Sequence, residues 1–94
     1  MFYVYVLASS PYGTLYIGMT SDLLRRMWEQ KHKVVPGFSR KYRVDRLVWF
    51  EVHQSREAAL RREKQIKEWK REWKINLIEQ DNRHWNDLSL TLTL

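Results

Sequence analysis

Four side chains of this sequence carry reactivity that could be pooled: the phenols of Tyr5 and Tyr16, the guanidinium of Arg26 and the carboxylate of Glu63. A phenol can hold or move a proton, a guanidinium forks onto phosphate oxygens, and a carboxylate can grip a hard divalent cation. Hydrolysis of a phosphodiester asks for a positioned water, a group to take its proton, a cation for the developing charge and help for the leaving oxygen. The four residue types cover those needs only if they converge in space. Taken singly, each has a structural explanation: small sheets bury tyrosines with their hydroxyls reaching solvent, and a charge on a helix is ordinarily solvated.

The elements that would have to position them are legible in the pattern. Residues 2–8 and 14–18 are rich in β-branched and aromatic side chains, and the turn formers Ser9, Ser10, Pro11, Tyr12 and Gly13 lie between them, which predicts a hairpin. A loop running from Ser9 to Tyr12 would set Ala8 opposite Gly13 and Tyr5 opposite Tyr16. Strand alternation then gathers Phe2, Val4, Val6, Ala8, Leu15, Ile17 and Met19 on one face, an apolar core. The other face holds Tyr3, Tyr5, Leu7, Thr14, Tyr16, Gly18 and Thr20, a tyrosine and hydroxyl surface on which Gly18 leaves room for a close approach to the backbone.

Thr20, Ser21 and Asp22 offer cap oxygens and a first-turn carboxylate for a helix whose apolar stripe is Leu23, Leu24, Met27 and Trp28 and which ends near His32. Arg25 and Arg26 follow that cap by about one turn. Residues 31–46 are basic and irregular, with Pro36 and Gly37 as breakers and a short helical turn expected around Phe38 to Tyr42. Residues 47–52 read as a third strand. Ser55 is a cap for a highly charged helix predicted to reach about Trp73, and a second helical piece carries Ile75, Leu77 and Ile78. The order implies one α/β (α+β) domain over residues 1–94, with residues 82–94 as a docked or frayed tail.

Glu63 is the position on which helical periodicity says most. At about 100° per residue it falls between Ala59, Leu60 and Ile66, so its carboxylate points roughly with the apolar face. Arg62 and Lys70 crowd the same side, and the alternative is a solvated face on which Glu63 pairs with Lys67 one turn on.

Composition limits the field. A chain of 94 residues has room for one small core and no separate regulatory lobe. Its 17 Lys and Arg against 11 Asp and Glu, a formal charge of +6, are the balance of a domain that meets polyanions, nucleic acid first among them. The absence of cysteine excludes disulfides, thiolate metal sites and a Cys nucleophile, and fits a reducing, cytoplasmic setting. The apolar N-terminal run is too short to cross a bilayer and reads as a core strand, so no membrane partner is expected.

Taken in order, Tyr3-Val4-Tyr5, Tyr16-Ile17-Gly18, Arg26 and Glu63 resemble the signature of the GIY-YIG endonuclease superfamily. Thr20 and Leu23 fall where that family places a small hydroxyl and an apolar residue. The run from Arg62 to Lys67, followed by Trp69 and Lys70, is similar to the glutamate-bearing helix of its small stand-alone members. Asn82, Trp85, Asp87 and Leu88 are similar to their ending. The departures are Tyr3 for the first glycine, Gln30 where many members carry a histidine four residues after the arginine, and Arg83 where a proline usually follows the tail asparagine. Asn76 is the nearest match to a further family asparagine, and His32 lies about 200° around a helix from Gln30.

The resemblance implies a three-stranded antiparallel sheet with the first strand central, flanked by helices, as in the nuclease module of a bacterial excision-repair protein. It implies Tyr5, Tyr16, Arg26 and Glu63 as catalytic residues, with Glu63 holding Mg²⁺ or Mn²⁺ and Tyr5 as general base. A phenol of pKa about 10 is only about 0.1% ionised at pH 7, so that role asks for a phenolate favoured by roughly 4 kcal/mol. Gly18, Thr20, Arg25, Lys31, Lys33, Arg40, Lys41 and Arg43 are the expected contacts to nucleic acid, DNA or RNA, with Phe38 and Tyr42 for base stacking. No small-molecule cofactor is expected. The leading function is a metal-dependent DNA endonuclease of repair or turnover. The competitors are a nucleic-acid clasp that does not cut and a subunit that docks on a protein through Trp28, Trp69, Trp73 and Trp85.

Overall fold

The computed structural model of the protein describes residues 1–32 and 43–92. Three strands, β1 (Phe2–Ala8), β2 (Leu15–Thr20) and β3 (Arg46–His53), form an antiparallel sheet in the order β2-β1-β3, so the first strand is central as expected. Among the described residues the helices are α1 (Leu23–Lys31), α2 (Arg56–Glu68) and α3 (Arg71–Asp81), followed by a 3-10 turn at Leu88–Thr91. The predicted helical turn around Phe38 to Tyr42 lies outside the described residues.

Alternation along the strands sorts the side chains as the pattern predicts, but both faces of the sheet are buried. Val4, Val6, Ala8 and Ile17 pack with Ala59 and Ile66 of α2, Ile78 of α3 and Trp85. Tyr3, Tyr5 and Leu7 pack with Leu23 and Met27 of α1, Val44 and Leu47, with Tyr16 and Phe50 at the margin. The second face is therefore a second core rather than an open hydroxyl surface, because α1 folds back over it and removes its large rings from water.

The hairpin register differs from the predicted one by two residues. Ala8 faces Leu15, Leu7 faces Tyr16 and Tyr5 faces Gly18. The connection is longer than expected because Ser9 bonds twice to Thr14: its N–H donates to the Thr14 carbonyl at 3.0 Å, and its Oγ accepts from the Thr14 N–H at 2.9 Å. A slip of two preserves which side chains share a face, since the pleat repeats every two residues. On the other side, a bulge between Val6 and Leu7 skips Val48 of β3. The amide of buried Asn82 donates to the Val48 carbonyl at 3.0 Å, so the disturbed ladder is repaired from the tail.

Caps and breaks set the helix ends. Asp22 is the cap of α1, its side chain accepting from the Arg25 N–H at 3.1 Å, and Ser55 caps α2 through the Ala58 N–H at 3.2 Å. The charged helix stops at Glu68 rather than Trp73, because Trp69 and Lys70 are extended, with ψ of 153° and 150°, and turn the chain into α3. Trp69 then lodges against the core beside Ile75 and Leu77. The tail is docked: Trp85 is buried, its indole donates to Glu79 at 2.8 Å, and the Tyr12 ring at the hairpin tip lies 5.0 Å from it. No helix among the described residues is long and apolar enough to cross a membrane.

Candidate active site

Tyr5 stands on the central strand with its phenol laid across the backbone of Gly18. A Cβ built on Gly18 would come within 2.4 Å of the Tyr5 oxygen. The glycine therefore makes room for Tyr5 itself, which the two-residue shift in register brings opposite it. Tyr16 stays close, its ring centroid 6.5 Å from that of Tyr5 with the planes tilted by 36°.

Arg26 reaches the same phenol from α1. Its Nη1 donates to the Tyr5 oxygen at 3.3 Å. Its Nε lies 3.3 Å from a carboxylate oxygen of Glu29, within ion-pair range, yet makes no hydrogen bond although it is sealed from solvent. Charge rather than a directed bond holds that end of the guanidinium.

Glu63 arrives from α2, which packs across β1 and β2 on the opposite face of the sheet from α1. Its side chain is 18% exposed and sits between Ala59 and Ile66, both fully buried, while Lys67 donates to one carboxylate oxygen at 3.1 Å. Both readings of this position hold together: the carboxylate turns with the apolar face, and it carries a partner one turn away.

Three of the groups adjoin, Arg26 bonding to the Tyr5 oxygen with the Tyr16 ring beside it, while Glu63 is related to them through its charge alone. Burial pushes the Tyr5 phenol up to about 12; the Arg26 charge opposes this, while Tyr16 and the Glu63 carboxylate add to it. Arg26 acts on the phenol directly, and the Glu63 charge from the opposite face of the sheet contributes least. The expectation that Tyr5 is poised as a phenolate base meets the reverse in the free protein. At a pKa near 12 only about one molecule in a hundred thousand is ionised at pH 7, and the residue is wholly buried. Sequence reasoning missed this because it placed Tyr5 on an open face.

The expected nucleic-acid contacts separate on the surface. Arg25 is open to solvent along its side chain and Arg43 is exposed, with a φ of 55°. Lys31 is engaged in an ion pair with Asp87, which also accepts from the Leu47 N–H at 3.2 Å and pins the tail to β3. Burial alone would raise the Asp87 carboxyl, but hydrogen bonds from Lys31 and Ser89 outweigh it and hold the group below its ordinary value. Thr20 is largely buried, its hydroxyl accepting from the Asp22 N–H at 3.1 Å, so it shapes the corner entering α1. Gly18 is covered by Tyr5, and Lys33, Arg40 and Lys41 lie outside the described residues. Gln30 is buried in α1, and His32 caps the helix, its ring stacked 4.2 Å from Trp28. Asn76 lines an open hollow with Trp69, Trp73, Leu77 and Gln80.

Sequence reasoning did not single out Glu29. Its carboxylate lies 3.5 Å from Arg25 and 3.3 Å from Arg26 at an open hollow of about 340 Å³ shared with Thr20, Ser21 and Asp22. The available signal was its spacing of four and three residues from two arginines on one helix.

Among the described residues no three acidic, histidine or cysteine side chains cluster as a ready metal site. One carboxylate suits a hexacoordinate Mg²⁺ or Mn²⁺ that keeps its waters and takes its remaining oxygens from phosphate. The residues present fit that mode of binding.

Comparison with known proteins agrees with the geometry. The family model for the GIY-YIG catalytic domain matches residues 1–76. The UPF0213 protein HQ_3675A of Haloquadratum walsbyi is 38% identical over 78 residues, spanning 83% of this chain and 86% of that protein. The solution structure of the UPF0213 protein BH0048 from Bacillus halodurans superposes over 100% of both chains with a TM-score of 0.58 and 27% identity. With its central tyrosine strand, its arginine and glutamate helices on opposite faces and this match over most of its length, the chain belongs to the GIY-YIG family of nuclease domains.

Proposed function

We propose that this protein is a divalent-metal-dependent endonuclease that hydrolyses DNA phosphodiester bonds, in a cytoplasmic role in repair or turnover. The observation that carries the reading is the bond from Arg26 on α1 to the Tyr5 phenol with the Tyr16 ring beside it; the charge of Glu63 on α2 adds to the field at that phenol. Arg26 would fork onto the scissile phosphate and stabilise its extra charge, and Arg25 would hold the flanking backbone. Glu63 would hold Mg²⁺ or Mn²⁺, which when bound supplies Lewis acidity and charge neutralisation to phosphate and water. Tyr5 keeps its proton in the free protein and anchors Arg26 through its oxygen. Tyr16, half-buried at the sheet edge, is the better placed phenol to orient the attacking water.

The second reading is a GIY-YIG scaffold that binds nucleic acid without cutting it. Two observations favour it: Gln30 stands buried where many family members carry a histidine, and Glu63 is already paired with Lys67. Plasmid and branched DNA incubated with Mg²⁺ or Mn²⁺ separate the two. Cleavage by the unmodified protein that drops at least a hundredfold in both Glu63→Ala and Arg26→Ala supports the nuclease. Tight binding with no nicking supports the clasp, and nicking that survives Glu63→Ala places the chemistry elsewhere.

A further inference from the structure

The reacting charges of this site are each held by a counter-ion from their own helix. Glu63 carries Lys67, and Arg26 carries Glu29. The second pair is the more informative. One carboxylate spans two guanidinium groups, its Oε2 at 3.5 Å from Arg25 Nε and its Oε1 at 3.3 Å from Arg26 Nε, and its own side chain is only 24% exposed. A carboxylate and a phosphate present the same pair of anionic oxygens to an arginine fork. Glu29 thus stands where a backbone phosphate gripped by Arg25 and Arg26 would have to lie.

The fit of Glu29 to this position is incomplete. Arg26 Nε is shut off from solvent and still lacks a hydrogen bond, although the Glu29 oxygen is near. A buried guanidinium N–H without an acceptor is costly, and a ligand whose oxygen aligns with it recovers that cost. The hollow beside it, bounded by Ser21, Asp22, Arg25 and Glu29, is open and large enough for a phosphate group.

We infer that Glu29 is an internal stand-in for phosphate: it occupies the Arg25–Arg26 fork in the free protein and is displaced when nucleic acid binds, so it sets the affinity of the site. The inference rests on the reading that Arg26 grips a backbone phosphate. Glu29 is a positioning residue, acting through the two arginines without touching substrate. The opposing role is that Glu29 holds Arg26 in its working orientation, in which case neutralising it would weaken binding.

The test measures binding without cleavage. Fluorescence anisotropy of a labelled duplex in the presence of a chelator, and a titration with inorganic phosphate followed at the Arg26 Nε–H resonance, are compared for the unmodified protein, Glu29→Gln, Glu29→Ala and Glu29→Asp. Losing a partly exposed competing pair should tighten both ligands by about two- to fivefold in the Gln and Ala variants. The log-log salt slope of duplex binding should stay the same in the Gln and Ala variants, because the two arginines grip the same phosphate in each. Glu29→Asp, which keeps the charge, should stay near the unmodified affinity. Unchanged or weaker binding by both Gln and Ala, with their melting curves intact, overturns the inference. Failure of the nuclease reading shows separately, as absence of cleavage with metal, and leaves the phosphate titration free to decide this point.

Discussion

Tyr5 is the residue on which stability and chemistry meet. Its phenol is buried and its pKa stands at about 12 against an ordinary value of 10. Below pH 10 both folded and unfolded chains keep the proton, and the stabilisation of the neutral phenol is fully present. Between pH 10 and 12 only the unfolded chain gives up the proton, so stability falls as pH rises, by up to roughly 3 kcal/mol for a shift of about two units. Urea unfolding at pH 9 and pH 11 should show about half of that loss, roughly 1.3 kcal/mol, in the unmodified protein and a smaller one in Tyr5→Phe. The same substitution removes the oxygen that accepts from Arg26, so Tyr5→Phe should also cut cleavage sharply at neutral pH, where its fold is intact. An equal alkaline loss in both proteins would show that Tyr5 does not titrate in that window.

At the level of elements, the site depends on two adjustments of the sheet. The longer hairpin loop puts Gly18 under Tyr5, where an added Cβ would meet the phenol oxygen at 2.4 Å and its Cζ at 2.5 Å. The ring is rigid and enclosed, so Gly18→Ala should cost about 1–3 kcal/mol and shift Tyr5 away from Arg26. Thermal melts and cleavage rates should fall together in that variant; a wild-type melting point would mean that the ring has somewhere to go. The bulge in β3 is held by Asn82, which donates to the Val48 and Asn86 carbonyls and accepts from the Asn86 N–H. Asn82→Ala leaves the Val48 carbonyl unsatisfied and should destabilise by about 2–3 kcal/mol in chemical denaturation. Asn82→Asp should do little better, because its carboxylate has no donor for that carbonyl.

For the whole molecule, the charge balance is the property that reaches farthest. If about five phosphates are neutralised, binding of a DNA duplex should weaken with salt along a log-log slope of roughly −4 to −5, read from anisotropy at several ionic strengths. Lys31 is not counted among those five because Asp87 holds it, and its replacement should loosen the tail rather than lower the slope. A slope shallower than about −2 would remove the nucleic-acid groove from consideration.

The division between what the linear chain determines and what only its folding decides follows from the range of the interactions. Strand alternation, the Ser55 cap, the end of α1 at His32 and the tilt of Glu63 toward Ala59 and Ile66 are local, set within a few residues by pleat, helical period and capping chemistry, and all are legible in the sequence. The break at Trp69 and Lys70 was not, because it is fixed by an aromatic ring finding the core rather than by a breaker residue. The hairpin register, the burial of the tyrosine face, the tie between Lys31 and Asp87 and the bond from Arg26 to the Tyr5 phenol join residues far apart in the chain. No local pattern encodes such distances. The sequence supplied the reactive groups, and the packing of α1 over the tyrosine face set Arg26 against Tyr5 and, by burying the phenol, raised its proton affinity.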